Sequence, residues 1–349
     1  MSVNAPQLPP LEYPFAAPPA PGEACSVAPG VLWIRMPLPF ALDHINLWLL
    51  AEDDGWTLVD CGYGDDATRA LWDAHFASTM EGRPVRRIIA THYHPDHLGN
   101  ATWLGARFGC PITMTQSEFL TAHAVLEQRA THAFADACAL FAAHGMDEEH
   151  ASALVARGNL YRRGVPDVPA RFSRMLAGDD VTAGGAPWHV ICGYGHSPEH
   201  ASLHSAARGL LISGDMLLPR ISTNVSVSAA EPDGDPLALF LDSIDAFAAL
   251  PPKTLVLPSH GLPFRGIAVR IAQLHAHHHE RLAELETAIH AAAAPVSASA
   301  VLPVLFRREL DLQQRFFAMG EAIAHLNYLW HRGRIRRTVA ADGAIRFSA

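Results

Sequence analysis

The chain has almost no lysine. Lys253 stands alone, and arginine supplies the rest of the 26 basic residues among 349. Cysteine is also scarce: residues 25, 61, 110, 138 and 192 are dispersed without C-x-x-C spacing. An odd, scattered set in a chain of this size points to reduced thiols and a cytoplasmic location. No apolar run reaches the roughly 18 residues of a membrane span, so no membrane association is expected. The N-terminus carries no basic stretch followed by an apolar one, so no export signal is expected either. A net charge of −9 excludes the whole chain as an electrostatic nucleic-acid binder. There is no repeat of solenoid period.

Apolar residues are plentiful, at 49 %, enough for the core of a large α/β enzyme. Histidine is abundant at 21 copies, so position must decide which of them matter. Residues 1–29 are rich in Pro and Ala and are expected to form an extended arm rather than a helix or central strand. Residues 30–292 read as the main domain. Short apolar or alternating runs bounded by Gly, Pro and Asp-Gly give its strands, with amphipathic helices between them. Within it, about 117–173 is Ala-rich and helical in period, a helical insertion. Phe119, Phe134, Phe141 and Tyr161 are expected to roof a pocket there. Residues 296–349 combine two helical stretches with a hairpin around "ADG", a winged-helix-like module. Its last 50 residues hold eight arginines against four acids, a sign opposite to that of the whole chain. "HAHHHE" (275–280) lies within one helix and reads as a solvated face.

One event recurs along the main domain: an apolar strand ends and a metal-ligand type of residue follows. "IIATHYHPDH" offers His92, His94, Asp96 and His97. "HVICGYGHSPEH" offers His196 and His200, "LLISGD" offers Asp215, and "TLVLPSHG" offers His260. Imidazoles and carboxylates suit a borderline ion such as Zn²⁺. Leaving His200 aside, seven ligands are too many for one tetrahedral ion and suit two ions sharing a carboxylate and a hydroxide.

These motifs, in this order, resemble the metallo-β-lactamase superfamily. The resemblance implies an α+β fold, the αββα sandwich, carrying the helical insertion and the small C-terminal winged-helix-like domain. It implies that His92, His94 and His196 hold one zinc, that Asp96, His97 and His260 hold the other, and that Asp215 bridges them. Iron or manganese can occupy the same ligands. It also places Asp60, in "TLVDCG", behind the ligands as an acceptor for an imidazole N–H. His200 is open between a partner of the ligands and a plain strand residue. Asp96 and Asp215 are the expected catalytic carboxylates, Asp96 taking and returning a proton.

The implied reaction is metal-assisted hydrolysis by a hydroxide bridging two zinc ions, on a small-molecule acyl substrate: a thioester, ester or lactone. Lactonases of the superfamily carry a tyrosine three residues after the bridging aspartate, where this chain has Leu218. Two alternatives stand beside it. One is a phosphodiesterase or ribonuclease using the basic tail, which is disfavoured because the extra histidine motifs are missing. The other is a mononuclear iron dioxygenase of sulfur substrates. The C-terminal module either contacts substrate or covers the site and supports a homodimer.

Overall fold

The computed structural model describes residues 10–349. Two sheets form the frame. The first runs in linear order β1 (Cys25–Ala28), β2 (Val31–Pro37), β3 (His44–Glu52), β4 (Gly55–Val59), β5 (Val85–Ile89), β6 (Ile112–Met114) and β7 (Ser173–Arg174). Its first four strands pair antiparallel, and β4 to β7 pair parallel. The second contains β8 (Asp180–Ala183), β9 (Ala186–Gly193), β10 (His200–Ser205), β11 (Leu210–Gly214) and β12 (Leu255–Pro258). Its order is β12-β11-β10-β9-β8, with only β11 and β12 parallel. A separate hairpin joins β13 (Arg336–Val339) to β14 (Ile345–Ser348).

Eleven helices surround the sheets among the described residues: α1 (Asp66–Ala77), α2 (Pro95–Leu98), α3 (Ala101–Phe108), α4 (Gln116–Leu126), α5 (Phe134–Ala143), α6 (Glu148–Ala156), α7 (Leu160–Gly164), α8 (Pro236–Asp245), α9 (Ile267–Ala291), α10 (Leu302–Leu305) and α11 (Leu312–His331). The period-2 pattern of the second sheet explains the layering. In β11 and β12, Leu210, Ile212, Leu255 and Leu257 enter a core shared with the first sheet. The alternate residues Leu211 and Val256 enter a second core with α8, α9 and α11. The outcome is the sandwich, with helices on its outer faces.

Several sequence expectations change in detail. Residues 1–9 of the Pro/Ala-rich arm lie outside the described residues. Beyond them, Glu12 bridges to Arg265 and Cys25–Ala28 becomes an edge strand, the one sheet position that suits such a segment. After the histidine cluster the chain forms two short helices, α2 and α3, rather than one. Asn100 leaves helical geometry between them, and its amide donates to the carbonyl of Tyr63 at 2.6 Å. "HAHHHE" is not a solvated face throughout: His278 is fully buried on α9, 3.3 Å from His325 of α11. The expected roof aromatics serve other cores. Phe134 and Phe141 pack on Phe316 of α11, and Phe119 stacks on Phe172. Of the four, Tyr161 reaches toward the histidine loop, its hydroxyl donating to the carbonyl of Tyr93 at 2.6 Å.

Candidate metal centre

The histidine cluster begins where β5 ends. Pro95 opens α2 as its first residue, where the lack of an N–H costs nothing. The residue before a proline is driven to an extended conformation, and His94 has φ −58° and ψ 151°. His92 and His94 are therefore delivered by extended chain, while Asp96 and His97 are delivered by a helical turn. That change of geometry lets one six-residue run serve two groups of ligands.

The first group is His92, His94 and His196. His92 Nε2 lies 2.9 Å from His94 Nδ1 and 3.2 Å from His196 Nε2, and the last two are 3.1 Å apart. The second group is Asp96, His97 and His260. His97 Nε2 and His260 Nε2 lie 3.7 and 3.4 Å from Asp96 Oδ2. Asp215 stands between the groups. Its Oδ1 is 3.5 Å from His97 Nε2 and 3.4 Å from His260 Nε2, while its Oδ2 is 3.3 Å from His196 Nε2.

The outer ring nitrogens fix which lone pairs face inward. His97 Nδ1 donates to Asp60 Oδ2 at 2.8 Å. His196 Nδ1 donates to the carbonyl of Asn224 at 2.7 Å, and His260 Nδ1 to that of His44 at 2.8 Å. The Thr91 hydroxyl donates to Asp60 at 3.0 Å and accepts from His92 Nδ1 at 3.0 Å. Asp60 thus orients His97 directly and His92 through Thr91. It does so from a left-handed backbone, φ 66°, a strained conformation for a non-glycine residue. In each neutral ring so oriented, Nε2 carries the free lone pair.

His200 does not join either group. It lies buried behind them, and its Nε2 accepts the backbone N–H of Asp215 at 3.1 Å. Gly214, just before Asp215, has φ 54°, and a Cβ there would stand 2.3 Å from the His200 ring. Arg270, buried on α9, donates to the carbonyls of Leu218 and Ile221 and so anchors the loop that follows Asp215.

The electrostatics suit divalent cations. Burial, reinforced by the neighbouring imidazoles, holds His92 and His94 well below the ordinary histidine range, in the neutral, ligating form. Burial and His196 push His200 down to about 3. Burial opposes charge on His97 and His260, but the surrounding aspartates outweigh it and raise both. Burial would raise Asp215; His260 and His97 outweigh it and hold the carboxylate ionised. His97 Nε2, His260 Nε2 and Asp215 Oδ1 are buried with no hydrogen-bond partner. Such atoms are costly unless something satisfies them. A tetrahedral zinc site spaces its nitrogens by about 3.3 Å, given Zn–N near 2.0–2.1 Å. The ring nitrogens of the first group sit close to that spacing, so the residues fit a divalent metal.

Two glutamates take part without any metal-ligand signature in the sequence. Glu118, near the start of α4, is fully buried and accepts from the backbone N–H of Tyr93 (2.9 Å), the Ser197 hydroxyl (2.6 Å) and the backbone N–H of Glu199 (2.7 Å). Glu321, on α11, accepts from the side-chain amide of Asn224 at 3.3 Å. A glutamate in the first turn of a helix reads as a capping residue, and one in mid-helix reads as solvated.

The metallo-beta-lactamase superfamily domain matches residues 41–260, so the chain belongs to that superfamily. The C-terminal domain of metallo-beta-lactamase-like proteins matches residues 282–349. Within this class the chain is similar to a probable metallo-hydrolase, YqjP, of Bacillus subtilis, at 25 % identity over 86 % of this chain and 92 % of the relative. It is also similar in structure to a beta-lactamase domain protein from Burkholderia ambifaria. There the identity is 48 % and the TM-score 0.89, over 97 % of this chain and 98 % of the other. A metallo-beta-lactamase family protein of Thermus thermophilus superposes at TM-score 0.76 with 28 % identity, over 93 % and 99 % of the two chains. The chain is a metallo-hydrolase of this superfamily. Among the described residues, no helix is long and apolar enough to cross a membrane.

Proposed function

We propose that this hydrolase works with two zinc ions and cleaves a small thioester, ester or lactone. His92, His94 and His196 would hold one ion, Asp96, His97 and His260 the other, and Asp215 would serve both. The observation that carries this reading is Asp215 itself: its two oxygens face different ligand groups, within 3.5 Å of each. When bound, such a pair lowers the pKa of water to near neutrality and polarises the acceptor oxygen of the substrate. The chain's own residues set up the rest. Asp60, Asn224 and His44 hold the ligand rings in the right tautomer. Asp96 is slightly exposed at the centre and can hold the transferred proton on its carboxylate.

Two observations favour an acyl bond over a phosphodiester. Tyr194, Ile221 and Phe317 are exposed apolar side chains on segments flanking the site: two residues before His196, in the loop after Asp215, and one turn before Glu321. In contrast, four of the eight C-terminal arginines pair with acids of the same chain. Arg307 meets Glu284, Arg332 meets Asp235, Arg334 meets Glu286 and Arg337 meets Asp233. They join the C-terminal segment to α9 and to the loop before α8 rather than forming a free basic face. A match to a hydroxyacylglutathione hydrolase of Stenotrophomonas maltophilia, 27 % identical over 49 % of this chain and 45 % of that protein, points the same way.

The test is metal analysis followed by a substrate panel. Two zincs per chain, with turnover of acyl-CoA thioesters or lactones, is the expected result. One iron and no zinc would overturn the dinuclear reading. Activity confined to bis-p-nitrophenyl phosphate would overturn the choice of bond.

A further inference from the structure

Glu118 begins with a contradiction between sequence and structure. Thr115 is the N-cap of α4 and Glu118 follows three residues later, the spacing of a capping box. Yet neither residue's side chain caps the helix; the Glu199 carboxylate accepts from the Ser117 backbone N–H at 3.3 Å instead. The glutamate turns away and is completely buried, which for a carboxylate is costly unless it is well bonded. Its three donors come from two places only. Tyr93 lies between His92 and His94. Ser197 and Glu199 follow His196. Thr115 adds to the second attachment, its hydroxyl donating to the carbonyl of Glu199 at 2.8 Å. The Asp96–His97–His260 group is braced elsewhere, through Asp60 and the carbonyl of His44.

We propose that Glu118 is the positioning residue of the three-histidine site. It ties the backbone between His92 and His94 to the backbone after His196, so that this site depends on it and the other does not. The inference rests on the two-site reading above. His92 and His94 come from the first sheet and His196 from the second, so their mutual spacing depends on how the two sheets are joined at this edge. Glu118 is such a joint, supplied by the helical insertion. Glutamine keeps the shape but places an amide NH₂ against one of the three donors, so one bond becomes a repulsive contact.

The experiment places Glu118→Gln in two backgrounds: His260→Ala, which spares the three-histidine site, and His196→Ala, which spares the other. Affinity for Co²⁺ is measured by its visible absorption in competition with a chelator. We expect E118Q to weaken binding about 10- to 100-fold in the H260A protein and less than about threefold in the H196A protein. Equal weakening in both, or none in the H260A protein, overturns the proposal. Should E118Q fail to fold, Ser197→Ala removes one of the three bonds and is expected to weaken the H260A protein alone, by a smaller factor; no change there overturns it as well. A wild type that takes up a single ion would fail the two-site reading only, because the comparison in the H260A protein would still decide on Glu118.

Discussion

Asp60 shows how one carboxylate can govern a site it does not enter. It accepts from His97, from the Thr91 hydroxyl and from the Thr91 backbone N–H, at 2.8 to 3.0 Å. Asp60→Asn replaces one acceptor oxygen with a donor and frees the His97 ring to take the wrong tautomer. We expect metal affinity to fall about 10- to 100-fold, read by chelator competition. Asp215→Ala should act more strongly, because it removes the carboxylate that faces both groups: turnover should fall more than about 100-fold and the metal content should drop. Turnover within a few-fold of wild type would show that Asp215 does not bridge. The candidate ligands could be picked out in the sequence at this scale because each follows an apolar strand. Glu118, Thr91 and Asn224 could not, because a residue that acts by holding a backbone or a ring looks like any other polar residue until its partner, distant in sequence, is seen.

At the scale of elements, strand ends do most of the positioning. β11 finishes at Gly214, whose left-handed φ and contact with His200 leave no room for a side chain. Gly214→Ala should therefore cost about 2 kcal/mol or more in a denaturant titration, from the backbone strain and the clash together. A cost under about 0.5 kcal/mol would mean that the turn relaxes freely. The helices behave less predictably than the strands. After the histidine cluster two helices occur instead of one, because the Asn100 amide is used on the loop that carries Tyr63. On α11, burial raises Glu321 to about 7. A carboxyl whose folded pKa lies above its unfolded value keeps its proton in the folded state while the unfolded chain releases it. Stability therefore declines as pH rises from about 4.5 to about 7 and the loss is complete above that. The metal-free Glu321→Gln protein, which cannot ionise there, should gain melting temperature relative to wild type across that window and hold the gain above pH 7. A difference that stays flat with pH would show that Glu321 does not hold its proton in the folded state.

The molecule as a whole is more tightly joined than its sequence suggests. A C-terminal module reading as separate implies that removing 296–349 would leave the main domain standing. The structure predicts otherwise. Met319, Ile323, Leu326 and Leu329 of α11 and Phe347 of β14 lie in one buried cluster with Phe240, Phe247 and Phe264. Each such side chain contributes about 1.5–3 kcal/mol by burial, and five of them rival the roughly 5–15 kcal/mol that holds a whole domain. Truncation should therefore give a protein that aggregates or melts without cooperativity, by size exclusion and circular dichroism. A monodisperse truncated protein with a cooperative melt would contradict this. The same interface brings Glu321 to Asn224, whose carbonyl holds His196, so the C-terminal segment contacts the metal centre's supports as well as the core.

What the residues determined without the fold is the chemistry available: which side chains can bind metal, and that strands deliver them. Those facts are local, set by apolar periodicity, by the break after each strand and by Pro95 between His94 and Asp96. Only the tertiary structure decided how closely the two groups stand, with Asp215 between them, and which polar residues besides Asp60 hold them. It also decided that Phe119, Phe134 and Phe141 of the insertion pack on other aromatic rings and that four of the tail's arginines pair with acids of the same chain. Those outcomes depend on partners far away in sequence, and no local propensity encodes which of many similar side chains a fold will bring together.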